Sequence, residues 1–194
     1  MLKPCLAFIL ASTVAQTAGA VQLLGDVEVS RIPTAEKVMA EVVNRYQALD
    51  EGLANQLSAQ KNERDATQLA ARQGHRLWQQ AVRDVQSGHF DDRSLYWARL
   101  SMLNSLKNNS ANFKMADWQQ QILASAVEKA SRGFSDIQYD DDVQIKIFLT
   151  GFDPFFLDKD ISQSNPSGLV ALALDGFRFD INGKKAQIET AMIP

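Results

Sequence analysis

From Thr34 to Arg132 apolar residues recur every three or four positions, the period of a helix with one face turned to a core. Val38, Val42, Tyr46, Leu49, Leu53 and Leu57 form the first stripe, on a helix of roughly six turns or more that Pro33 introduces. Ala66, Leu69, Gln73, Leu77, Val82 and Val85 form a second, weaker one that Ser87-Gly88 ends; Gly74 either interrupts it or is tolerated inside it. Asp92 is placed to cap a third helix carrying Leu95, Leu100, Leu103 and Leu106, closed by the turn residues Asn108-Asn109-Ser110. Asp117 is placed to cap a fourth, with Ile122, Leu123 and Val127 on its inner face and Gly133 at the left-handed position beyond its end. Four amphipathic helices with short connections can bury their stripes only against one another. Residues 34–133 are therefore expected to form a helical domain, an up-and-down bundle or a pair of hairpins.

The period then changes. Residues 134–142, with Asp136, Asp140, Asp141 and Asp142, read as an acidic linker. Ile145 to Thr150 is an apolar run of strand length, and Pro154, which has no N–H for a ladder, forces a loop soon after it. Asn165 is placed to cap a new helix with Pro166 at its first position, where a missing N–H costs nothing. A hairpin turn follows at Asn182-Gly183. The expected fold class is α plus partial α/β: a helical bundle followed by a strand, loop, helix and hairpin over residues 143–194. Ligands of open α/β folds bind in the loops at the carboxyl ends of strands, which makes Phe152 and Phe155 candidate pocket walls. Asn165 is a candidate either for the helix cap or for fixing that loop.

The motif Thr150-Gly151-Phe152-Asp153-Pro154-Phe155, followed by Asn165-Pro166-Ser167, resembles the N-terminal signature of pyroglutamyl peptidase I, the pyrrolidone-carboxylate cysteine peptidases. The resemblance covers residues 143–194 and departs from the family at Phe156-Leu157, where the family has Gly-Gly, and in a longer loop before Asn165. It implies a truncated N-terminal part of a peptidase-like α/β sandwich, with Phe152, Phe155 and Asn165 on the substrate side of a slot for an N-terminal pyroglutamyl ring. It also implies thiol acyl transfer by a Glu, Cys and His that come later in the family's domain. None of those three is in this chain at a matching position, so no catalytic residue is assigned.

Composition narrows the classes. The chain has 194 residues, 45% of them hydrophobic and 22% charged, with a net charge of −3; this describes an ordered protein without the basic excess that nucleic acid favours. Met1 to Ala20, with Lys3, an apolar run from Leu6 to Leu10, and Ala18-Gly19-Ala20, reads as a secretory leader cleaved after Ala20, so the expected location is secreted or periplasmic. The apolar run is too short to span a bilayer. Cys5 is the one cysteine, so a chain cleaved there has neither a disulfide nor a thiol nucleophile.

His75 and His89 have no cysteine or clustered carboxylates near them in sequence, and Asp140-Asp141-Asp142 lacks the Gly and closing Glu of a calcium loop; no metal or cofactor is expected. Trp78, Trp97 and Trp118 are read as core rather than as a binding face, and Asp91-Asp92-Arg93 as a helix cap. Asn108-Asn109-Ser110 also fits the short glycosylation pattern. Two functions follow as expectations. One is a secreted pyroglutamyl peptidase acting on peptides with N-terminal pyroglutamate, inactive in this truncated form. The other is a non-catalytic helical interaction or binding module, able to self-associate, with a folded fragment from about residue 34 to 133.

Overall fold

A computed structural model describes residues 26–109 and 111–194; the expected leader and Cys5 lie outside them. The molecule is mostly helical with a small mixed sheet. In chain order the helices are α1 (Asp26–Val29), α2 (Ile32–Val43), α3 (Gln47–Leu57), α4 (Glu63–Gln86), α5 (Arg93–Asn108), α6 (Asp117–Ser131) and, after strand β1 (Ile145–Phe152), α7 (Pro166–Leu174). Strands β2 (Arg178–Ile181) and β3 (Lys184–Ile193) follow.

The first apolar stripe does not lie on one helix. Met39 adopts φ −148°, ψ 56°, which kinks α2, and the chain turns again at Asn44–Tyr46 before α3 begins. The breaks rotate the faces, so Val38 points to solvent while Val43, Leu53 and Leu57 are buried. The second stripe is one continuous 24-residue helix. Gly74 is tolerated because α6 crosses there: a Cβ on Gly74 would lie 2.8 Å from the Val127 carbonyl oxygen and 3.0 Å from Ala130 Cβ. α4 starts on a true cap, Asn62 Oδ1 accepting from Asp65 N–H at 2.9 Å.

The expected caps of the next two helices are not formed as read. Asp92 already has helical backbone angles and makes no capping bond; Asp91 instead accepts from Arg93 N–H at 3.0 Å. Ahead of α6, Gln119 Oε1 reaches back to Ala116 N–H at 2.8 Å, and Asp117 lies inside the first turn, where its charge favours the helix dipole. Trp78 and Trp97 are fully buried, as helical spacing suggests, but Trp118 at the start of α6 lies on the surface.

β1 pairs with β3 in parallel, β2 with β3 antiparallel, and the order is β1-β3-β2. Asn182 (φ 50°) and Gly183 (φ 76°) make the hairpin turn whose two left-handed residues match the twist of the strands. α7 packs on α4 and on β1 and β3, so Ala171, Leu172 and Met192 belong to the same buried cluster as Trp78 and Trp97. The acidic stretch lies against the sheet. Gln138 and Asp140 donate their N–H groups to Glu189 and Gln187, and the Tyr139 hydroxyl donates to the Ile147 carbonyl at 2.9 Å. Among the described helices none is long and apolar enough to cross a membrane.

Candidate functional site

β1 ends where α7 begins to press on it. A Cβ on Gly151 would come within 2.6 Å of the Ser167 carbonyl oxygen and 2.8 Å of Gly168 Cα, so only glycine lets helix and strand meet here. Two residues on, the Asp153 side chain turns inward and is 7% exposed. Its Oδ2 accepts from Arg99 Nη1 at 2.7 Å and from Arg132 Nη1 at 2.5 Å. Arg132 Nε also donates to Glu128 at 2.7 Å, and Arg99 Nε to the Ser131 hydroxyl at 3.1 Å. Two guanidiniums and two carboxylates thus balance in one buried network that joins α5, the end of α6 and the end of β1. Burial lowers the Arg132 pKa, but the Asp153 and Glu128 charges outweigh it and leave the value raised. Arg99 is 1% exposed, and its Nη2, like Asp153 Oδ1, has no hydrogen-bond partner.

Asn165 fixes the far side of the loop. Its Oδ1 accepts from Ser167 N–H at 3.1 Å, which caps α7, and its Nδ2 donates to the Asp153 carbonyl at 3.1 Å. Its own N–H donates to Asp92 Oδ2 at 3.0 Å. The Asn165 side chain therefore both caps and holds the loop, with its polar atoms committed to the protein. Asp92, buried at the head of α5, has its pKa pushed up to about 6 by burial and by the charge of Asp91, against the lowering effect of the Asn165 N–H.

Above the network lies a cavity of about 560 Å³, bounded by Glu28 and Arg31 from the α1–α2 corner and by residues 152–158, Asn165 and Ser167. Phe152, Phe155 and Phe156 stand around it, 47%, 51% and 64% exposed. The rings of Phe155 and Phe156 meet edge to face at 4.8 Å between centroids, and Lys159 Nζ lies 5.0 Å from the Phe156 centroid. Phe156 has φ 60°, a left-handed conformation that costs a bulky residue about 1–2 kcal/mol relative to glycine. Arg31 closes one side of the mouth by donating to Asp158 Oδ1 at 2.8 Å.

Phe152, Phe155 and Asn165 are thus brought to one cavity, the phenylalanines at its rim and Asn165 in its wall. His75 and His89 are not among its lining residues, and Ser167 Oγ is held between Asn165 Oδ1 and Phe152 N–H. Among the described residues no group of three or more His, Cys, Asp or Glu is placed to hold a metal ion. Sequence reading missed Arg99 and Arg132. Arg99 lies four residues after Leu95 and four before Leu103, an arginine on the core face of a helix, and that spacing was its signal.

Comparison with known proteins corrects the family reading. Residues 11–128, more than half of the chain, match the model of the family described as PA0049 N-terminal domain. The "Uncharacterized protein PA0049" of Pseudomonas aeruginosa (strain PAO1) is 34% identical over 151 residues, which is 66% of this chain and 27% of that protein. The chain thus spans about a quarter of the length of the curated relative it matches. No solved structure matches. Neither finding points to pyroglutamyl peptidase, and neither supports a hydrolase, a thiol protease or a leader; the family match begins at residue 11, within the stretch read as a leader. The motif at 150–155 and 165–167 has a local explanation instead: a glycine where helix meets strand, a proline that stops the strand, and an asparagine that caps the next helix. The chain belongs to the PA0049 N-terminal domain family.

Proposed function

We propose that this chain is a non-catalytic binding module and that the cavity beside β1 receives an apolar segment of a partner protein. The observation that carries the reading is the ring of three half-exposed phenylalanines, Phe152, Phe155 and Phe156, over a floor held rigid by Arg99, Arg132, Asp153 and Glu128. Exposed aromatic rings clustered at a concave site are the composition of an interface anchor. The charge balance disfavours an anionic occupant. The floor pairs two cations with two anions, Arg31 at the mouth is paired with Asp158, and the Glu28 carboxylate on the lining accepts, among the described residues, only from the Tyr96 hydroxyl at 3.1 Å, so an entering anion would lose its hydration and meet a like charge. The left-handed Phe156 fits the same reading, since a bulky side chain held in a glycine conformation presents its ring outward at a cost in stability.

The test uses N-phenyl-1-naphthylamine, an uncharged fluorescent reporter of apolar cavities. Saturable dye binding is expected. Phe152→Ala and Phe155→Ala should each weaken it by roughly two- to tenfold, the worth of one aromatic contact, without changing the helical circular dichroism. Dye affinity that ignores both substitutions would sink the assignment of this cavity.

A further inference from the structure

β1 is an edge strand whose outer side is open. In the order β1-β3-β2 it has one neighbour. Asp153 N–H donates to the Ile193 carbonyl at 3.0 Å, and the regular alternation of a parallel ladder then turns the backbone groups of the odd-numbered residues of β1 toward β3 and those of Lys146, Phe148, Thr150 and Phe152 outward. Phe152 N–H, on the outer side, is taken by Ser167 Oγ at 3.1 Å. By that alternation the N–H and C=O groups of Lys146, Phe148 and Thr150 face away from β3, and β1 has no second neighbour among the described residues. Their side chains are exposed as well. Beside this edge α7 has no polar side chain from Gly168 to Leu174, yet Val170 is 46% exposed. Natural edges are usually blunted by charge, proline or a bulge, and over this stretch Lys146 is the one charge.

We infer that this edge is an interface between two copies of the chain, with β1 paired antiparallel to β1 of a second copy. A two-fold axis requires antiparallel strands and opposes outward residues to outward residues. Centred on Phe148, the register places Phe148 opposite Phe148 and Lys146 opposite Thr150, so that an aromatic pair is flanked on each side by an ammonium group facing a hydroxyl. On the other sheet face Ile147 falls opposite Leu149, which extends the apolar surface that α7 covers. The neighbouring registers are worse. Centring on Lys146 sets two ammonium groups face to face, and centring on Thr150 brings in Phe152, whose N–H is already bonded. In the favoured register the two three-stranded sheets become continuous, and the outward groups of Lys146, Phe148 and Thr150 are all paired. The inference stands apart from the cavity and does not depend on what binds there.

Sedimentation velocity of the full chain over a concentration series tests it. A concentration-dependent dimer is expected. Thr150→Lys, an exposed change, sets a second ammonium group opposite Lys146 at both ends of the pairing and should weaken the dimer by roughly two- to thirtyfold. Adding Lys146→Glu in the same chain turns both of those contacts into pairs of opposite charge and should restore it. A chain that stays monomeric up to about 1 mM, where even weak association would show, overturns the inference. So does a dimer indifferent to Thr150→Lys, or one weakened by it and not restored by the second change.

Discussion

Asp92 shows how a side chain can be read correctly for its place at a helix start and still be misread for its role. As a residue at a helix start it reads as a cap, but its carboxylate reaches across to Asn165 N–H and ties the head of α5 to the loop before α7. Burial carries its pKa from 3.8 up to about 6. Since the folded value lies above the unfolded one, the proton favours the fold. That contribution is complete below about pH 4 and is lost as the pH rises through 6. Asp92→Asn keeps an oxygen acceptor and removes the charge. It should stabilise the protein by about 2–3 kcal/mol at pH 7.5, seen as a higher urea midpoint, with the gain shrinking to nothing near pH 4. An equal gain at both pH values would mean that the carboxylate charge is not what burial penalises.

Among elements, α4 and α7 were the most legible, and for different reasons. The cap, proline and apolar run of α7 are local signals that need nothing from the rest of the chain, and the structure has Asn165 and Pro166 where those signals put them. Gly74 in α4 could not be judged from its own helix, because what decides it is the Val127 carbonyl of a helix some fifty residues on. Gly74→Ala would raise intrinsic helix propensity but push α4 off α6, and the overpacking should win: a loss of about 1–3 kcal/mol in chemical denaturation. A gain would show that α6 can give way. The α2–α3 break was illegible as well, since Val38 and Val42 keep helical spacing across the non-helical Met39. The phenylalanine rim was visible as residue types at a strand end. Its floor was hidden, because Arg99, Arg132 and Asp153 meet only when three distant elements do.

At the scale of the molecule, the Arg99–Asp153–Arg132 network joins helices and sheet across 54 and 21 residues of chain. A fragment of residues 34–133 keeps both guanidiniums and Glu128 but loses Asp153, and breaking a buried pair in this way costs about 3–5 kcal/mol. It should therefore unfold at a lower urea concentration than the whole chain, and Asp153→Ala in the whole chain should fall by a similar amount. A fragment as stable as the whole chain would show that the network contributes nothing net. The same arrangement sets the order of events when the chain folds. α5 and α6 can meet early, being close in sequence, but until β1 is in place they hold two desolvated positive charges against one negative one. The helical half alone is then a poor resting place. Helices and sheet should arrive in a single kinetic phase, and replacing Arg99 with an apolar side chain such as Met is the change that would let the bundle assemble ahead of the sheet.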